Sequence, residues 1–394
     1  MPWPLRMTLY MSLIMLIILI YQGIKYNQSV RRLQLRPALF YHGIFFVAVV
    51  LFFTYPVMGV MEYWTQGSFS YGTYPKTLIY LFWYGAVFLG LSFSWLVAID
   101  LFSLILKRVF KTGVAQRKVF LSYLIVIITG LVAVYAGVKM VWHTHKIGAD
   151  EISYNLSEVT GIDMEPLTIV HIADLHADRY TRDRKLNRYV NKVNEAEPDI
   201  VIFAGDLITV GTHYIEMGAD AMARIEARYG VYAVIGDHDY WVNKERVADA
   251  LEYRGIEVLR DANTWIDHGE SRVKLTGVTE IYSQTISTDR LRDLLEEDQG
   301  EVLRIVSSHQ ATDRLIEISK EYGTHQLLAG HTHGGQIRVP VFFYPVTAAR
   351  AETRYVIGHW WLDDMLLNIN NGLGFTLAPV RYNAPAEISV ISVY

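Results

Sequence analysis

Four apolar stretches crowd the first 141 residues, at 7–24, 38–61, 77–99 and 119–138. No other feature constrains the fold as much. Each is near the ~20 residues that a helix needs to cross the hydrocarbon core of a bilayer. One such run could be a buried core helix or a secretory leader. Four in succession, joined by short polar links, read as a transmembrane region of four helices. The first is long for a leader and lacks a small-residue cleavage site. The chain's 52% hydrophobic content is concentrated here, and its 394 residues leave room for a second domain.

Basic residues orient the spans. Lys25, Arg31, Arg32 and Arg36 follow the first span; Lys107, Arg108, Lys111, Arg117 and Lys118 follow the third. The link between the second and third offers only Glu62 and Lys76. The positive-inside rule puts both basic links in the cytoplasm, so everything after Val141 is expected outside a cell membrane crossed several times. Tyr63, Trp64, Tyr71, Tyr74 and Trp142 fit an interfacial aromatic belt on that outer side. His42 and Asp100 are expected near the cytoplasmic helix ends, at headgroup level. With no broken-helix pattern or charge series, they do not make an ion path.

The second half alternates. Residues 142–165 read as an acidic linker and a first strand, and 166–394 as the second domain. Strands are expected at 167–173, 200–204, 231–235, 302–307 and 325–329, with helices at 182–196, 214–229, 245–254, 288–297 and 312–321. Shorter β-like pieces fall at 257–259 and 272–279, and a β-rich tail at 365–369, 380–382 and 388–393. Strands alternating with helices, then a β tail, indicate a layered α/β fold.

Chemistry clusters where those strands end. Asp174-Leu175-His176, Gly205-Asp206, Gly236-Asp237-His238-Asp239, Ser308-His309 and Gly330-His331-Thr332-His333 each follow an apolar, β-rich run. Carboxylates and imidazoles gathered this way suit a binuclear metal site, and mixed N/O donors suit Mn, Fe, Zn or Co. The chain has no cysteine, which removes disulfides, zinc-thiolate sites and thiol nucleophiles. A net charge of −4 and the lack of a basic-aromatic stripe outside the cytoplasmic links argue against a nucleic-acid partner.

This ordered set, over roughly 150–394 and including Asn371-Gly372-Leu373-Gly374 and Pro379-Val380-Arg381, resembles the calcineurin-like metallophosphoesterase superfamily. Its tail resembles the branch of bacterial membrane-associated phosphoesterases and phosphodiesterases. The resemblance implies two packed β-sheets flanked by helices, an α/β/β/α sandwich. It implies that Asp174, His176 and His333 hold one divalent ion and Asp237, His309 and His331 a second, with Asp206 bridging. Metal-activated water would then hydrolyse phosphodiesters or phosphomonoesters, lipid or envelope molecules among them. His238 takes the role of protonating the leaving group, with Asp239 orienting its ring or serving only as a turn residue.

Position 237 departs from the pattern, which usually has Asn there. Three carboxylates against two divalent ions leave about +1 instead of +2, which disfavours a dianionic monoester relative to a monoanionic diester. The same residue keeps a second reading open, a membrane sensor that holds a phosphate ligand without turnover. His171 is expected in the core, and His213, His268, His325 and His359 carry no expected role. Asp178, Tyr240 and Arg381 are candidates for the pocket rim or for packing alone. Gly205, Gly334 and Gly335 are expected as turn residues.

Overall fold

The computed structural model describes residues 1–35, 38–67, 74–109 and 113–394. Arg36, Tyr71 and Lys111 lie outside the described residues. The chain divides into two compact units that are discontinuous in sequence. The first comprises Met1–Thr144, Ile337–Thr347 and Leu377–Asn383; the second comprises His145–Gln336, Ala348–Thr376 and Ala384–Tyr394.

Among the described residues, four helices build the first unit: α1 (Trp3–Arg32), α2 (Ala38–Gln66), α3 (Lys76–Val109) and α4 (Val114–His145). All four are long and apolar enough to cross a membrane. Each outruns its expected span, because the flanking polar residues continue the helix beyond the apolar stretch. Their outward faces carry Leu13, Ile17, Phe46, Leu104, Val134 and Val138, all exposed. Several polar groups of the bundle are paired, as an apolar setting favours. Gln22 donates to the Leu89 carbonyl and to Ser92 Oγ, both at 3.0 Å. Asp100 accepts from Tyr21 (2.8 Å) and pairs with Lys25, so its partners are on α1.

Two six-stranded sheets form the second unit. The first has the order β1 (Ile147–Tyr154), β16 (Ala386–Val393), β2 (Leu167–Ile172), β3 (Ile200–Phe203), β4 (Val231–Ala233) and β5 (Glu257–Val258). The second has the order β14 (Gly358–Leu362), β15 (Met365–Ile369), β11 (Gln326–Ala329), β10 (Leu303–Ser308), β7 (Ser271–Val278) and β6 (Ala262–His268). A small hairpin, β8 (Glu280–Ile281) with β9 (Gln284–Thr285), also lies in this unit. A second hairpin, β12 (Val339–Val341) with β13 (Tyr344–Val346), lies in the first unit.

Strand alternation sorts the core into layers. Leu167, Ile169, Ile200, Ile202 and Ile391 from one sheet meet Val273, Leu275, Leu303, Ile305 and Leu366 from the other. The outer face of the first sheet is covered by α6 (Asp183–Asn194), α7 (Ile215–Met222) and α8 (Asp237–Glu252) through Leu186, Val190, Ile215, Met222, Val247 and Leu251. The second is covered by α9 (Thr288–Glu296) and α10 (Asp313–Glu321) through Leu291, Leu294, Leu315 and Ile316. A short helix, α5 (Leu156–Thr160), follows β1. The layers read α/β/β/α, as the resemblance implies.

Candidate metal centre

β2, β3 and β4 run parallel in one sheet, and β10 and β11 run parallel in the other. Side chains just beyond their C-terminal ends converge, the usual ligand edge of a parallel sheet. Asp174 and His176 follow β2, Asp206 follows β3 and Asp237 follows β4. His309 follows β10, and His331 and His333 follow β11. These loops turn sharply: Asp174, His176, Asp206, His331 and His333 all have positive φ, between 47° and 69°. Backbone strain of this kind persists only where the surroundings enforce it, and it concentrates at functional sites.

Two of the turns need glycine for closeness. A Cβ on Gly236 would lie 2.2 Å from Asp206 Oδ1 and 2.4 Å from the Asp206 nitrogen. One on Gly330 would lie 2.4 Å from the Ala173 Cβ and 2.7 Å from Asp174 Oδ2.

The donor atoms form overlapping groups. Asp174, His176 and His333 make one, and Asp237, His309 and His331 another. His333 Nε2 stands 3.0 Å from His176 Nε2 and 3.3 Å from Asp174 Oδ1. His331 Nδ1 stands 3.1 Å from Asp237 Oδ2, and His309 Nε2 3.6 Å from the same oxygen. Asp206 Oδ2 lies between the groups, 3.3 Å from His176 Nε2 and 3.3 Å from His309 Nε2. Donors ~2.1 Å from one ion, at tetrahedral or octahedral angles, lie about 3.0–3.4 Å apart, so the spacing and donor types fit transition-metal ions.

Neighbouring groups fix the donors. His309 Nδ1 donates to the Ala204 carbonyl (2.7 Å), which leaves Nε2 as the ligating atom. Asp206 Oδ1 accepts from the His238 backbone N–H (2.8 Å), and Asp174 Oδ2 from that of His331 (3.0 Å). The closing glycine motif pins the first loop: the Leu373 and Gly374 N–H groups donate to the Ala173 and Asp174 carbonyls.

Burial pushes the Asp174 carboxyl up to about 7. Burial alone would lower His331, but its bonds to Asp237 and Glu352 raise it to about 9. Burial opposes ionisation of Asp206 as well, yet the surrounding imidazoles, His309 foremost, hold it well below the usual carboxylate range.

His238 is half-buried beside His176, its Nδ1 donating to the Thr209 carbonyl at 2.6 Å. The His238 ring is held by Thr209, and of the two roles expected of Asp239 its contacts match the turn residue. The Asp239 carboxylate accepts backbone N–H bonds from Asp206 (2.8 Å), Leu207 (2.9 Å) and Gly236 (3.1 Å). It ties the β3 and β4 loops together, with burial raising it to about 7.

Asp178 is likewise structural, accepting from the Tyr180 and Thr181 N–H groups and from Thr209 Oγ1. Arg381 is buried in the first unit, and Tyr240 packs on the α-helical core. His171 donates to Asn368 Oδ1 (2.6 Å) in the core, and burial lowers it to about 4. His268 bonds Tyr229 and the Glu165 carbonyl, His325 accepts from the Arg304 N–H, and His359 pairs with Asp150. The His213 ring lies against that of Tyr214, tilted by 43°.

Three further residues touch the centre. The Tyr282 N–H donates to Asp237 Oδ1 (2.8 Å), and Gln310 Nε2 to Asp237 Oδ2 (2.7 Å). Glu352 Oε2 and Tyr282 Oη each stand 3.2 Å from His331 Nε2, the nitrogen facing away from Asp237. Gln310 adjoins His309 in sequence. Tyr282 and Glu352 carry no sequence signal.

Residues 167–335 match the model for calcineurin-like phosphoesterases. The metallophosphoesterase YkuE of Bacillus subtilis (strain 168) is 27% identical, over 57% of this chain and 78% of its own length. A transmembrane protein with metallophosphoesterase domain from Danio rerio is 24% identical over 72% of this chain and 65% of its own. Phosphodiesterase YaeI of Escherichia coli (strain K12) is 23% identical over 58% and 82%.

Proposed function

We propose that this chain, whose residues 167–335 match the model for calcineurin-like phosphoesterases, is a membrane-anchored, binuclear, metal-dependent phosphoric ester hydrolase that acts on phosphodiesters in preference to phosphomonoesters on bilayer-borne substrates. Its domain stands on the extracytoplasmic side, the reading supported by the basic links after the first and third spans. Lipid headgroups and lipid-linked envelope molecules are the substrate class.

The observation that carries the binuclear reading is Asp206, whose Oδ2 is 3.3 Å from a histidine of each donor group. Asp174, His176 and His333 would hold one ion, Asp237, His309 and His331 the other, with Asp206 shared between the two groups. Bound there, the ions would supply Lewis acidity toward phosphate and an activated water. His238, its Nδ1–H fixed on Thr209, has Nε2 left to pass a proton to the leaving oxygen. Asp237 adds a negative charge that disfavours a dianionic monoester. The relatives' names, a phosphodiesterase and a transmembrane protein, agree with both halves of the proposal.

The test uses the full chain in nanodiscs, metal-stripped and then given Mn²⁺, with a chromogenic phosphodiester and its matching monoester. Turnover appears only with metal and is faster on the diester. His238→Ala lowers kcat by about 10²–10⁴-fold while metal content is unchanged. Turnover that survives chelation, or survives loss of His238, overturns the assignment.

A further inference from the structure

The hairpin β12–β13 reads Val339-Pro340-Val341-Phe342-Phe343-Tyr344-Pro345-Val346, with no charged residue. It belongs to the helical unit and lies along α3. Val339 Cγ1 lies 3.0 Å from where a Gly90 Cβ would be, so Gly90 opens the helix surface to it. The Phe342 ring meets Phe93 edge-on at 6.4 Å, and the Phe342 N–H donates to Ser94 Oγ (3.3 Å). Phe343 is fully exposed, and Phe342, Tyr344 and Val346 are about half exposed. In water this would be a costly apolar tip.

Where the contact falls on α3 decides its setting. Gly90 and Ser94 lie 14 and 18 positions beyond Lys76 in a helix of 34 residues. Any stretch of ~20 consecutive residues taken within that helix as its membrane-spanning part contains both. The conclusion therefore holds for either orientation of the chain. If α3 spans the bilayer, the hairpin is at hydrocarbon depth.

Non-helical backbone survives there only if its polar groups are satisfied or removed. This sequence meets that demand at several of its N–H groups. Val339 pairs with Val346 and Val341 with Tyr344, while the facing residues Pro340 and Pro345 have no N–H to leave unpaired. The Phe342 N–H at the turn is taken by Ser94.

We propose that residues 339–346 form a re-entrant hairpin embedded in the bilayer, its Phe342–Phe343 tip in contact with lipid acyl chains. In sequence the hairpin begins six residues after the metal-ligand candidate His333. This rests on the membrane-anchored reading above and deepens it toward a substrate that keeps its acyl chains in the membrane.

The chain's lack of cysteine allows single nitroxide labels at Phe343→Cys and, as a second hairpin site, Tyr344→Cys. Trp95→Cys on α3 reports the membrane, and Tyr253→Cys, highly exposed on the second unit, reports water. Full-length protein in phosphatidylglycerol–phosphatidylethanolamine nanodiscs is probed with oxygen and a water-soluble nickel chelate. Both hairpin labels should match Trp95 and collide with nickel about tenfold less than Tyr253, as groups in hydrocarbon do. Nickel access at 343 and 344 with Trp95 shielded overturns the hairpin while sparing the anchor. Nickel access at Trp95 as well overturns both.

Discussion

At the scale of the residue, Asp237 is built in. Each of its oxygens accepts a hydrogen bond, from the Tyr282 N–H and from Gln310 Nε2, and His331 Nδ1 stands beside Oδ2. An asparagine would turn its NH₂ toward one of those donors. Asp237→Asn is therefore expected to loosen one metal and to shift the monoester-to-diester ratio of kcat/KM upward. Removing one charge ~4 Å from phosphate is worth about 1 kcal/mol in a water-like medium, or about fivefold. Parallel titrations of both esters, with metal content measured, check this; an unchanged ratio would sink the charge argument. The converging carboxylates and histidines were legible because each stands just past an apolar strand. Tyr282 and Glu352 were not, since their loops reach the centre only through tertiary folding and have no periodicity to announce it.

At the scale of the element, the site depends on how closely two loops pass. Gly236 has φ −97°, a conformation open to any residue, so replacing it tests contact and not backbone strain. Gly236→Ala is expected to push Asp206 off its seat, costing about 1–3 kcal/mol as overpacking does. Metal affinity should fall with it. Gly148→Ala, whose added carbon would meet nothing nearer than 3.7 Å, should leave both stability and affinity unchanged. Calorimetric metal titration separates the two, and equal behaviour would mean the seat does not matter.

Elements were legible where apolar period carried them, as in β2, β3, β10 and β11. The helix expected over 245–254 is the second part of α8, entered at the non-helical Asn243, whose side chain accepts from the Arg246 N–H; the first part, from Asp237, was missed, and Asp237 and Asp239 in its first turn suit the helix dipole. The helix expected over 214–229 keeps only Ile215–Met222. Beyond it Arg228 and Tyr229 bond to the Pro198 and Asp199 carbonyls. The hairpin at 339–346 was missed because an unbroken apolar run with two prolines resembles neither strand nor span.

At the scale of the whole molecule, proton and metal compete for one cluster, and the sign of the competition can be worked out. His331 is raised from 6.5 to about 9 in the metal-free fold, so it contributes stability below its unfolded value that is lost as pH climbs through 9. Asp174, raised to about 7, disfavours the fold as pH rises from the ordinary carboxylate range to 7. Both make metal-free protein weaker toward alkaline pH. Ions need the deprotonated forms, so their affinity rises over the same window, by up to about tenfold per pH unit for each proton displaced. The metal-loaded protein should therefore outlast the metal-free one by a margin that widens from pH 7 to 9. Melting of the full chain with Mn²⁺ and with chelator, at steps across that range, reads the margin directly. A margin constant with pH would mean that these imidazoles and carboxylates are not where the ions bind. The whole-molecule division of labour would then have to be sought elsewhere than at the ends of β2, β3, β4, β10 and β11.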